Sequence, residues 1–153
     1  MEISDLLQPE AVISGLKAGN KKALLQELAR HAATITGVSD KRIFETLLER
    51  ERLGTTGVGN GIAIPHGKLA DFKRLYGLFA RLEKPIDFDA IDEQPVDLVF
   101  LLLAPEGAGA DHLKALARVS RLLRDRKVCE KLRGAETADG LYMLLIQSEA
   151  QAA

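Results

Sequence analysis

The sequence predicts an α/β fold, a three-layer α/β/α sandwich with a mixed central sheet and helices on both faces. Three observations carry this. The unbroken apolar run from Leu98 to Ala104 reads as a strand at the centre of a sheet, covered on both sides. Helix-period and strand-period segments alternate along the chain without strict βαβ regularity. The composition, 46% hydrophobic and 28% charged over 153 residues, suits a folded core, and the length fits one domain spanning 1–153.

The elements follow in order. Met1 to Gln8 is a short cap-and-turn segment with Ser4 as cap and Pro9 as its end, and Ala11 to Gly15 is a short strand. Asn20 is a good N-cap for a helix whose Leu24, Leu28 and Ile35 recur at helical spacing, with Gly37 as its stop. Ser39 opens a second helix with a Val38–Ile43 staple and a buried stripe of Ile43, Phe44, Leu47 and Leu48, ending around Arg50 to Leu53. Gly54-Thr55-Thr56-Gly57-Val58-Gly59-Asn60-Gly61 reads as a loop of unusual backbone freedom. Ile62-Ala63-Ile64 is a short strand stopped by Pro65, and Leu75 to Leu82 and Val96 to Leu103 are strands separated by an acidic stretch. From Asp111 a long helix places Leu113, Leu116, Ala117, Ser120 and Leu123 on one face and Lys114, Arg118, Arg121, Arg124 and Arg126 on the other. A short turn at Cys129 to Leu132 ends at Gly134, and Thr137 caps a last helix through Leu141, Leu144 and Leu145.

Charge and composition remove several classes of function. With 21 basic and 22 acidic residues the formal net charge is −1, so no overall field favours nucleic acid or anionic lipid. No apolar run approaches the roughly 20 residues of a spanning helix, which predicts no membrane insertion. The acidic start Met1-Glu2-Ile3-Ser4-Asp5 does not resemble a signal peptide. Cys129 is the one cysteine, so no internal disulfide forms, and a cytoplasmic protein is expected.

The chain contains three histidines. His31 lies within the first long helix beside Leu28 and Ile35, a structural position. His66 is clamped between Pro65 and Gly67 at the end of a strand, behind the glycine-rich segment. It reads either as a turn histidine or as a reactive group held by rigid neighbours. His112 falls in the first turn of the Asp111 helix, where the dipole disfavours an imidazolium and backbone N–H groups can receive an anion. An exposed helix-start histidine is the plain alternative. Two nucleotide motifs are excluded. Ending Ile62 to Leu69 in Gly-Lys-Leu lacks both the first glycine and the Ser/Thr of a P-loop, and Gly57, Gly59 and Gly61 alternate where a dinucleotide fingerprint does not. The histidines have no metal-ligand spacing, so neither a metal nor a cofactor is expected. A neutral imidazole is a competent nucleophile toward phosphorus, given an anchored second nitrogen and cationic or dipolar support for the phosphoryl oxygens.

The residues also resemble a known family. Leu48-Glu49-Arg50-Glu51-Arg52, the run from Gly54 through Pro65-His66-Gly67-Lys68, Pro85 to Asp92, and Gln94-Pro95-Val96-Asp97-Leu98 are similar to the fructose/mannitol-type enzyme IIA domains of the bacterial phosphotransferase system. The nitrogen-related branch is the nearest. The resemblance implies that His66 is the phosphoryl-accepting histidine, His112 the second active-site histidine, and Arg50 the active-site arginine. It implies a histidine-phosphorylated carrier protein as donor. In the nitrogen branch it implies regulated partners such as potassium transport and sensor-kinase systems, and in the sugar branch a IIB domain as acceptor. Ala108-Gly109-Ala110 departs from the family's more polar residues before His112. The opening around His66 is expected to be lined by Gly57, Val58, Gly59 and Pro65.

Overall fold

A computed structural model describes residues 1–152. Its helices are α1 (Ile3–Leu6), α2 (Lys21–Thr36), α3 (Asp40–Arg52), α4 (Ala110–Arg124), α5 (Arg126–Gly134) and α6 (Ala138–Ala152). Its strands are β1 (Val12–Leu16), β2 (Gly57–Gly59), β3 (Ile62–Ala63), β4 (His66–Lys68), β5 (Tyr76–Ile86) and β6 (Val96–Ala104). The strands form one mixed sheet in the order β1-β5-β6-β3-β2, with β4 also paired to β6. β1 runs parallel to β5, β5 antiparallel to β6, and both β3 and β4 parallel to β6. This is the α/β sandwich expected from the pattern.

The centre of the sheet is β6. Leu98 through Ala104 are all within 2% of full burial, which requires cover on both faces. Helices α2 and α3 pack on one another and against β5 and β4, while α4, α5 and α6 pack together against β6 and β1. Phe79 and Phe100 face each other across the β5–β6 ladder with ring centroids 6.3 Å apart. Such a pair adds about 0.5–1.5 kcal/mol beyond its area burial. Asn20 caps α2 by accepting from Ala23 N–H at 2.8 Å, and Gly37 ends it with φ +76°. Among the described residues no helix is long and apolar enough to cross a membrane.

Several local expectations are corrected. Ser4 lies inside α1, whose cap is Glu2 with Asp5 reaching back to the Glu2 N–H at 2.7 Å. The glycine-rich segment contains a strand: β2 pairs antiparallel with β3 through a tight turn in which Asn60 (φ 57°) and Gly61 (φ 80°) both have positive φ. An Asn-Gly pair suits a turn of this hand. Cys129 to Leu132 is helical, because the Asp125 carboxylate caps α5 by accepting from Lys127 N–H at 3.0 Å, and Val128, Cys129 and Leu132 bury one face. On α4 the core face is His112, Ala115, Val119, Leu122 and Leu123, rotated from the predicted face. Leu113 is 67% exposed. The strand predicted at Leu75 to Leu82 also runs further, as β5, to Ile86.

Candidate functional site

His66, His112 and Arg50 come together at one cleft. β4 carries His66 and Lys68, which alternate with Gly67 and so project from the same face of the strand. β4 lies against α3 through Gly67: a Cβ there would stand 2.7 Å from Thr46 Cγ2. Only glycine allows that approach, and it brings the last turn of α3 over the imidazole. Arg50 Nε then donates to His66 Nε2 at 3.2 Å, while Arg50 Nη1 donates to the Gly54 carbonyl at 2.9 Å. His112, in the first turn of α4, sits with its ring centroid 5.5 Å from that of His66. The cleft encloses about 680 Å³ and is lined by Thr46, Glu49, Arg50, Arg52, Leu53, His66, Gly67, Lys68, His112, Leu113 and Leu116.

Hydrogen bonding fixes the His66 tautomer. Nδ1 lies 2.9 Å from the Ile64 carbonyl oxygen. A carbonyl only accepts, so Nδ1 carries the proton and Nε2 keeps its lone pair. Burial lowers the His66 pKa, the Ile64 carbonyl opposes this, and Arg50 lowers it further, so the ring is neutral near pH 7. His112 is 4% exposed, which replaces the exposed helix-start alternative. Burial, then repulsion from His66 and Lys68, pushes its pKa down to about 4. Its Nδ1 is buried without a hydrogen-bond partner.

The rim differs from the expected one. Gly57 and Gly59 are buried, Gly57 so closely that an added Cβ would stand 2.9 Å from the Ala90 backbone. The apolar rim is built instead by Leu53, 86% exposed, with Leu113 and Leu116. Sequence reasoning gave no role to Lys68 or Glu51. The period-two spacing of His66 and Lys68 was the available signal for Lys68. Glu51 gave none, since a carboxylate among alternating charges in a helix reads as surface. It is only 8% exposed, and it accepts from Thr56 N–H at 3.0 Å and pairs with Lys21 Nζ at 3.0 Å. His31 lies on α2, outside the lining of the cleft.

The family model described as "Phosphoenolpyruvate-dependent sugar phosphotransferase system, EIIA 2" matches residues 5–148. The chain is 59% identical to a nitrogen regulatory protein of Bradyrhizobium diazoefficiens, with all of both chains covered. It is 38% identical to the fructose-specific EIIA component of the phosphotransferase system of Haloferax volcanii, covering 95% of this chain and 96% of that protein. Among solved structures, the nitrogen regulatory protein IIA-Ntr of Neisseria meningitidis superposes with a TM-score of 0.89 at 35% identity, covering 94% of this chain and 98% of that one.

Proposed function

The chain belongs to the EIIA 2 family of the phosphoenolpyruvate-dependent sugar phosphotransferase system, whose members are phosphotransfer components, and from that premise we propose that His66 is the phosphoryl acceptor. The donor is a histidine-phosphorylated carrier protein. The observation that carries the reading is the His66 ring itself, with Nδ1 anchored on the Ile64 carbonyl and Nε2 unprotonated at the cleft. In the transfer, the Nε2 lone pair forms a bond to phosphorus as the donor's P–N bond breaks, and the electron pair of that bond leaves on the donor imidazole. The His66 ring gains positive character, which its Nδ1–H···O=C bond to Ile64 stabilises. Arg50 and Lys68 supply positive charge for the phosphoryl oxygens, and His112 at the start of α4 supports them. The reverse step delivers the group onward.

The main role is regulatory, through the phosphorylation state of His66, in nitrogen- and potassium-related control of transport or sensor-kinase partners. Its support is the likeness to proteins named nitrogen regulatory protein over the full chain. A phosphoryl group brings about −1.5 to −2 charges to a cleft with an exposed apolar rim, so a partner seated on that rim distinguishes the two forms. The second reading, a sugar-specific IIA protein that passes the group to a IIB domain, is supported by the fructose-specific relative.

Reconstitution with phosphoenolpyruvate and the general phosphotransferase proteins tests both. Wild-type protein is expected to gain an acid-labile, base-stable phosphoryl adduct, and His66→Ala to gain none while staying folded. An adduct that persists on His66→Ala overturns the assignment. Rapid, productive transfer from phosphorylated protein to a fructose-type IIB domain would favour the sugar reading over the regulatory one.

A further inference from the structure

Behind the cleft, an ion pair with a buried carboxylate connects to the imidazole through the backbone. The Glu51 side chain is 3% exposed and its Oε1 lies 3.0 Å from Lys21 Nζ. The same carboxylate accepts from the Thr56 N–H at 3.0 Å and from the Thr56 hydroxyl. Thr56 is itself buried. Its carbonyl accepts from the Ile64 N–H at 3.0 Å, and the Ile64 carbonyl accepts from His66 Nδ1–H at 2.9 Å. The path from carboxylate to ring thus consists of Glu51, Thr56, Ile64 and His66, with a hydrogen bond between each pair and the backbone of Thr56 and Ile64 joining one bond to the next. Lys21 is fixed at its other side by the Phe88 ring, with Nζ 4.6 Å from the centroid.

We propose that Glu51 is the positioning residue that sets which nitrogen of His66 is free, by holding Thr56 so that the Ile64 carbonyl meets Nδ1. The inference rests on His66 being the acceptor but concerns a property of the ring that exists before any transfer. Two donors on one carboxylate pin Thr56 in both its backbone and its side chain, which a neutral residue at 51 does less strongly. The Thr56 carbonyl then holds the Ile64 N–H, and with it the backbone of Ile64 whose carbonyl meets Nδ1. A displaced Ile64 carbonyl removes one of the two contacts that keep the proton on Nδ1, the other being the Arg50 Nε–H donated to Nε2. A ring protonated on Nε2 has no lone pair there, so the population able to react at Nε2 falls. Glu51, like the Ile64 carbonyl, also raises the His66 pKa against burial, Arg50 and Lys68.

The test is ¹⁵N–¹H correlation of the His66 ring in unphosphorylated protein, for wild type, Glu51→Gln, Thr56→Val and Thr56→Ser. Wild type and Thr56→Ser are expected to show the Nδ1–H tautomer. Glu51→Gln and Thr56→Val are expected to raise the Nε2–H tautomer several-fold, and to lower kcat for phosphoryl acceptance about tenfold with KM for the donor protein unchanged. Should Glu51→Gln fail to fold, Thr56→Val carries the measurement. An unchanged tautomer ratio in folded Glu51→Gln or Thr56→Val overturns the proposal, whatever happens to thermal stability. If wild type shows the Nδ1–H tautomer and the variants shift it, yet no protein takes a phosphoryl group, the positioning role stands and the acceptor assignment fails.

Discussion

Arg50 holds two bonds at once, one through Nε to the His66 Nε2 lone pair and one through Nη1 to the Gly54 carbonyl. In the proposed transfer the first occupies the electron pair that attack on phosphorus needs, so Arg50 would have to turn from the ring to the incoming oxygens. Its positive charge also works against a protonated ring. Arg50→Ala is therefore expected to raise the His66 pKa, read by NMR titration of the ring, and to slow phosphoryl acceptance on the order of 10²-fold. Arg50→Lys keeps the charge and loses the fork, and is expected to recover the pKa more fully than the rate. A rate unchanged in Arg50→Ala would leave the arginine as a helix-end cation only. This cluster was partly legible in the sequence. Pro65-His66-Gly67 marks a constrained histidine, but spacing could not show that Gly67 brings α3 within reach. Nor could it show that Glu51, next to Arg50 in the chain, faces inward.

At the scale of elements, the β2–β3 hairpin is held from outside. Arg133 Nη2 donates to the Asn60 carbonyl at 2.8 Å while its Nε and Nη2 each reach Asp97 at 2.9 Å. A Cβ at Gly61 would stand 2.4 Å from Arg133 Nη2 and 2.8 Å from Asp97 Oδ1, on a backbone with φ +80°. Gly61→Ala is expected to cost about 2 kcal/mol from positive φ and the displaced ion pair together, measured by urea unfolding. A cost below about 0.5 kcal/mol would show that the turn relaxes freely. Four glycines in one segment hid this hairpin, since glycine weakens every strand signal; the Asn60-Gly61 pair between Gly57–Gly59 and Ile62–Ala63 was the cue. The Cys129 helix was hidden for another reason. A nine-residue helix depends on its Asp125 cap and its packing more than on any periodicity.

For the molecule as a whole, the depressed His112 links stability to pH. His112 has a folded pKa of about 4 against an ordinary 6.5. The unfolded chain binds the proton first, so this contribution is fully present above pH 6.5 and is lost as pH falls from there toward 4. For this nearly buried ring the loss is about 2–3 kcal/mol. Urea midpoints of wild type are expected to fall more steeply between pH 7 and 4.5 than those of His112→Gln, and parallel curves would refute the linkage. The central place of β6 and its two-sided cover were legible because its apolar run admits few alternatives. The face of α4 was not. Leu113 and Leu116 obey the helical period but line the cleft, and a leucine kept at a functional rim carries the same signal as one in the core.

The pairing of β4 on the central strand has a consequence for how the proposed phosphorylated form would differ from the unmodified one. Leu102 N–H bonds the Pro65 carbonyl at 3.0 Å and Leu69 N–H bonds the Ala104 carbonyl at 3.0 Å, so the segment carrying His66 is sewn at both ends to the most buried strand. Amide protons at Leu69 and Leu102 are expected to exchange with deuterium only through large-scale opening, and at the same rate with and without a phosphoryl group on His66. A change of more than a few-fold would mean that modification loosens the backbone. With equal rates, a partner tells the forms apart by charge on a fixed surface, and the message needs no refolding to be sent or erased.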